Sequence, residues 1–353
     1  MTSSSVIHHP SSYIMPAEWE THAATILAWP HNKADWPGKF EPIPFVYGEI
    51  IRWLTQAERV KLIVRNDKEA AVALDICERS GVAMENLELF RIPTNRIWMR
   101  DSGPIFVRDG KGKKHMLDWR FNAWAKYTNH KFDDKIPEQL NAVMKLPRIQ
   151  PMHKGKRVVL EGGSIDVNGK GTLLTTEECL LSKIQERNPG FGREDYETVF
   201  EKYLGIKQII WLGNGIEGDD THGHVDDIAR FVNANTVVTV VEKNKRDGNY
   251  ALLQDNLKRL KRARDQSGKA LNVVELPMPR RMHFEGQLLP ASYANFLIAN
   301  KLVIVPTFND PADRVALSIL AGLFPKHEVV GIHCVDMVWG LGTLHCMSQQ
   351  EPL

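Results

Sequence analysis

Apolar residues along this chain follow two alternating rhythms. Short runs rich in valine, isoleucine and leucine come in pairs, split by an Asn, Asp or Gly turn. Each pair is followed by a stretch with apolar positions three and four residues apart, and then by another short apolar run. The paired runs, at 105–121, 164–176, 228–241 and 294–308, predict β-hairpins. Their turns hold glycine or asparagine, which take positive φ cheaply. The amphipathic stretches predict helices over 134–145, 194–204, 249–264 and 311–323. The runs at 207–212, 271–276 and 327–333 predict strands, with a weaker strand between 147 and 157. A divergent version opens the chain: strand 24–30, helix 44–57, strand 60–65 and an added helix at 68–80.

The same hairpin-helix-strand paragraph is thus written five times. One such unit cannot cover its own sheet, and closure removes the exposed edges, so five units predict an α/β propeller with a central site. An open mixed α/β sheet is the other arrangement that these elements allow. A length of 353 residues would suggest two domains on average, but a closed repeat of this size predicts a single domain over 1–353. Asp101 precedes the second hairpin, Glu161 opens the third, His224 and Asp226 open the fourth, and Cys346 follows the strand of the last unit. Equivalent places in a radial fold converge on its axis, which predicts one pocket.

Composition narrows the partners. With 43% hydrophobic and 25% charged residues the chain reads as an ordinary soluble protein. A net charge of +2 does not favour polyanions, and the basic run at 258–269 reads as a solvated helix face, with nucleic-acid contact as the alternative. The four cysteines at 77, 179, 334 and 346 form no Cys-x-x-Cys pair, which predicts reduced thiols. The opening residues lack a leader-like pattern, and no apolar stretch is long enough to span a membrane, so a cytoplasmic protein is expected.

A thiol, an imidazole and several carboxylates without a nucleotide motif are an enzyme's inventory. Two carboxylates that grip different edges are an efficient holder for a planar, always protonated guanidinium, and Asp101 and Asp226 are the candidates. Each has a plainer reading: Asp101 as a turn cap in "RDSGP", Asp226 as a strand-edge partner of Arg230. If 222–226 is a strand, His222, His224 and Asp226 share a face, and "HGHVD" becomes a zinc alternative. Cys346 is the candidate nucleophile, while Cys77, Cys179 and Cys334 read as small buried hydrophobes. A thiol with its ordinary pKa needs a nearby positive charge to become thiolate, and a bound guanidinium supplies one. Glu161, in "EGGS", stands to orient His224 and accept a guanidinium N–H, or else marks a simple bend.

The ordered set "MPAEWETHAATILAWP", "WMRDSGP", "EGGSIDVNGKGTLLTTEECLL", "GHVDDIARF", "ASYANFLIAN", "VIVPTFNDPAD" and "HCMSQQ" runs over nearly the whole chain. It resembles the agmatine deiminase and bacterial-type peptidyl-arginine deiminase family of the guanidino-group-modifying (pentein) superfamily. The resemblance implies five ββαβ units about a pseudo-five-fold axis and no metal or organic cofactor. It also implies guanidinium binding by Asp101 and Asp226 beside Glu161, a general acid/base at His224 and a nucleophile at Cys346. Trp98, Asp220 and His222 stand beside these and are expected at the substrate. The expected reaction is deimination of a guanidine, agmatine to N-carbamoylputrescine and ammonia, through a covalent thiouronium. Other guanidines, amidino transfer or binding without turnover remain open, as does a homo-oligomer. The family carries an acidic residue where this chain has His222, and "GGGNIHC" where it reads "WGLGTLHC", so the departures gather at the substrate's tail.

Overall fold

β-Branched runs and Gly/Asn turns place the hairpins where the two rhythms put them. The computed structural model describes residues 13–353; residues 1–12, part of the opening segment considered for a leader, lie outside the described residues. The front unit contains β1 (His22–Ala28), α1 (Ile43–Ala57), β2 (Arg59–Val64), the added α2 (Asp67–Arg79) and β3 (Leu87–Arg91). The second holds β4 (Ile105–Asp109), β5 (Lys114–Leu117), α3 (Ile136–Met144) and β6 (Arg148–Ile149). The third holds β7 (Asp166–Val167), β8 (Thr172–Thr176), α4 (Arg193–Leu204) and β9 (Gln208–Leu212). The fourth holds β10 (Ala229–Asn233), β11 (Thr236–Val241), α5 (Gly248–Arg262) and β12 (Asn272–Pro277). The fifth holds β13 (Leu297–Ala299), β14 (Leu302–Thr307), α6 (Ala312–Leu323) and β15 (Glu328–His333).

In the last four units the hairpin is antiparallel, and the helix returns the chain to a strand parallel to the hairpin's second member. The helices pack toward the preceding unit: α5 on β9, α6 on β12, and α1 on β15. The last of these contacts brings the succession of units back to its start. So does a strand that the sequence pattern did not reveal, β16 (Ser348–Pro352), which pairs antiparallel with β1 in the register Leu27↔Ser348. It supplies the hairpin partner that the front unit lacks, so Cys346, two residues earlier, leads the front unit as well as trailing the last.

The weak segment after α3 gives β6 and then a separate small hairpin, Met152–His153 with Lys156–Arg157. A second unforeseen hairpin, Met282–Phe284 with Gln287–Leu289, lays Phe284 edge-on against Trp339. Strand residues such as Val237, Val238, Val303 and Ile304 have no exposure, each such burial contributing roughly 1.5–3 kcal/mol. That core is what holds the loops in front of the hairpins in place. No helix among the described residues is long and apolar enough to cross a membrane.

Candidate active site

Each unit presents a short tight segment just before its first strand. These are the helical turn Met99–Ser102, the 3-10 turns Gly162–Ser164 and Val225–Asp227, the stretch around Asn295, and the stretch 343–346. Backbone bonds tie them together: Arg100 N donates to the Cys346 carbonyl at 3.1 Å, and His345 N to the Asn295 carbonyl at 3.2 Å. Gly163 N donates to Asp101 Oδ1 at 3.2 Å. A β-carbon at Gly163 would stand 2.5 Å from His224 Nδ1 and 2.9 Å from Asp101 Oδ1, so only glycine fits between them.

Cys346, His224, Glu161, Asp101 and Asp226 are all brought together and buried. His224 Nδ1 lies 3.7 Å from Asp101 Oδ1 and 4.0 Å from Asp226 Oδ1, and its Nε2 lies 3.9 Å from Glu161 Oε2. Neither ring nitrogen has a hydrogen-bond partner, nor does Asp226 Oδ1. Buried polar atoms are rarely left so, and these face one another beside the thiol. Cys346 Sγ accepts from Asn295 Nδ2 at 3.0 Å and lies 3.7 Å from Asp226 Oδ2.

The electrostatics separate the groups. Burial, with the charges of Asp226 and Glu161, pushes Asp101 up to about 6, against the pull of His224 and a 2.9 Å bond from Trp124 Nε1. Burial would raise Asp226 too, but the 2.7 Å bond from His345 Nδ1 and the charges of His345, His224 and Arg230 together outweigh it and hold the carboxyl below its ordinary range. Burial also opposes ionisation of Glu161, yet Arg187, whose Nε donates at 3.0 Å, and His224 bring it down to about 2. Burial lowers His224, but Asp101, Cys179 and Glu161 around it win and hold it well above the ordinary histidine range. Burial and the charges of Asp226, Asp227 and Asp101 push the Cys346 thiol far up. Without a cation the pair is therefore a thiol beside an imidazolium.

Two plainer readings fail on geometry. Arg230 pairs with Asp166 and Glu18, not with Asp226. The "HGHVD" zinc site does not form, because the segment is a bend leading into the 3-10 turn Val225–Asp227 rather than a strand. His222 has φ +65°, and its Nε2 bonds Ser182 Oγ at 2.8 Å, with Nδ1 3.7 Å from Glu178. Expected at the substrate's tail, His222 is instead turned toward the helix Glu177–Leu181 and does not line the cavity.

That cavity, of about 560 Å³, reaches the site at Asp101 and Trp98 and opens past Trp124, Tyr127, Asp220 and Asp35. Asp220 does line it, paired with Lys126 and accepting from Tyr127 Oη at 2.7 Å. Asp35 pairs with Arg96 at 3.3 Å. Ala123, Trp124 and Ala125 all take positive φ, +51°, +59° and +54°, a strained left-handed run that aims the Trp124 indole at Asp101.

Asn295, His345 and Trp124 belong to the site without standing out in the sequence by residue type. Asn295 bonds both Cys346 and Asp227, and His345 bridges Asp226 and Glu18. Aligning "ASYANFL" with the segments that lead the other hairpins would have exposed Asn295. No comparable signal marks Trp124.

Comparison with known proteins gives a consistent picture. Residues 14–352 match the family model of the Porphyromonas-type peptidyl-arginine deiminase. The agmatine deiminase of Stutzerimonas stutzeri (strain A1501) is 34% identical over 375 aligned positions, spanning 100% of this chain and 99% of that protein. The solved agmatine deiminase of Enterococcus faecalis superimposes with a TM-score of 0.86 at 30% identity, covering 98% of each chain. The substrate-bound agmatine deiminase of C. jejuni does so with a TM-score of 0.85 at 31% identity, covering 96% of each.

Proposed function

The chain belongs to the Porphyromonas-type peptidyl-arginine deiminase family, and on that premise we propose that it hydrolyses agmatine to N-carbamoylputrescine and ammonia. It is a hydrolase of C–N bonds in linear amidines, built on the pentein arrangement of five ββαβ units. The observation that carries the chemistry is the buried Cys346 thiol set among Asp226, His224 and Asp101, with Asp226 Oδ1 and both His224 nitrogens unpartnered.

A guanidinium seated between Asp101 and Asp226 gains charge-assisted hydrogen bonds from both carboxylates. Its positive charge offsets the three aspartates that hold Cys346 protonated, so the substrate itself favours the thiolate. Thiolate attack on the guanidinium carbon forms the C–S bond. His224, held protonated by its carboxylates, gives its proton to the departing nitrogen as the C–N bond breaks and ammonia leaves. The neutral imidazole then takes one proton from water, whose oxygen attacks the thiouronium carbon; the C–S bond breaks, and the second water proton passes to the departing sulfur, which restores the thiol and frees the ureido product. Glu161, anchored by Arg187, keeps the imidazole aimed. Trp98, Trp124 and Tyr127 flank the methylene chain, and Asp220 and Asp35 offer acceptors to the terminal ammonium. The four free thiols suit a reducing, cytoplasmic setting.

Steady-state ammonia release from agmatine, free arginine and an arginine-ended peptide tests the reading. Agmatine should lead arginine in kcat/KM by about tenfold or more, equal to about 1.4 kcal/mol. A lead of that size for arginine or the peptide would overturn the agmatine assignment and leave the deimination standing.

A further inference from the structure

Cys179 is a buried thiol that the reaction above does not use. It lies in the short helix Glu177–Leu181, with its backbone N–H capped by Thr176 Oγ1 at 3.0 Å. It packs as the core residue its type predicts, in a cluster with Leu173, Leu180 and Tyr196. In addition, donor atoms of Glu161, Cys179 and His224 all lie within 4.8 Å of one another, and all three residues are buried.

We infer that Glu161, Cys179 and His224 form a binding site for a thiophilic divalent cation of the zinc class, and that its occupation inhibits the enzyme by engaging His224. Thiolate, imidazole and carboxylate are the donor set that zinc takes, at roughly 2.0–2.3 Å, so the side chains need to close on the ion by about an ångström. Hard cations such as magnesium prefer all-oxygen sites and are disfavoured here. The imidazole is free to ligate, since neither nitrogen is spent on a hydrogen bond. Arg187 Nε donates to both Glu161 oxygens, at 3.0 Å to Oε1 and 3.3 Å to Oε2, so ligation through Oε2, which faces His224, gives up the longer bond and keeps the shorter. A second cluster, Asp226, Asp227 and Cys346, is equally tight but offers no imidazole. Its donors are also occupied, since Asn295 Nδ2 bonds both Cys346 Sγ and Asp227 Oδ1. Ligation needs a thiolate and a neutral imidazole, so binding releases protons and tightens as pH rises.

Binding does not depend on the proposed reaction; only the inhibition rests on His224 carrying the proton. The test therefore has two readouts. Equilibrium dialysis with zinc alone should give one ion per chain in Cys346→Ser, where turnover is absent. Cadmium titration of the same variant should show a thiolate-to-metal charge-transfer band, and both signals should vanish in Cys346→Ser/Cys179→Ser. In the parent with agmatine, zinc should inhibit, and Cys179→Ser should weaken that inhibition by about tenfold or more, the scale expected for loss of one ligand. Zinc binding that survives Cys179→Ser, or that Cys346→Ser removes, would overturn the site. Binding as described without inhibition would overturn the inhibitory role. Failure of agmatine turnover in the parent would instead fall on the proposed function.

Discussion

The two ends of the active site are built differently. At the reacting end, Asp101, Glu161, His224, Asp226 and Cys346 come from four units, and Asn295 from the remaining one, every side chain but the His224 imidazole being held by a buried bond. At the tail end, Lys126 is exposed, and the charged pairs Lys126–Asp220 and Arg96–Asp35 balance one another on loops. Desolvated charges at the first end are worth several kcal/mol each, whereas the Lys126–Asp220 pair, whose lysine is exposed, is worth about 1 kcal/mol or less. Chemistry is thus held by the framework, and substrate choice is left to loops that can vary at small cost.

The sharpest break of this contrast is Cys346→Ser, which should drop turnover below about one ten-thousandth of the parent rate while circular dichroism stays unchanged. Residual activity above that level would remove Cys346 as nucleophile. Asp101→Asn and Asp226→Asn should each cost about 3 kcal/mol or more in kcat/KM, because an amide puts a donor where an acceptor is needed. Near-native efficiency in either would end the two-carboxylate clamp. Asn295→Ala should cost about 1–3 kcal/mol in kcat with KM nearly unchanged, since it loses a bond to the reacting sulfur rather than to the substrate.

Asp101 binds the guanidinium only as a carboxylate, so kcat/KM should fall as pH drops through about 6. The Trp124 N–H bond favours that charged form; removing it raises the pKa. Trp124→Phe should therefore move the acid limb upward by up to about one pH unit, the equivalent of one hydrogen bond. A limb that stays in place would disconnect Trp124 from Asp101. Lys126→Ala, at the tail end, should leave kcat alone and change KM for agmatine by a factor of about five or less. An effect as large as that of Asp226→Asn would erase the distinction between the two ends.

Much of this was legible in the sequence because its signals are local. Period, turn residues and helix patterns placed the four hairpins and their helices, and the thiol, imidazole and carboxylates stood out by residue type and by repeated position. Local signals also misled. The strand assumed for 222–226 put His222 with His224, whereas one positive φ at His222 sends its ring to Ser182. Residue type placed Cys179 correctly in the core but gave no sign that the fold also sets it beside His224.

The sequence by itself thus determined the elements, their order, the five-fold recurrence and the reacting groups, since backbone propensity and amphipathic period act over a few residues. Only the tertiary structure decided that Ser348–Pro352 pairs with His22–Ala28, that Asn295 holds the Cys346 sulfur, and that Trp124 reaches Asp101. Those contacts join residues far apart in the chain. They are chosen by the free energy of burying whole sheets and satisfying buried polar atoms together, which no local pattern encodes.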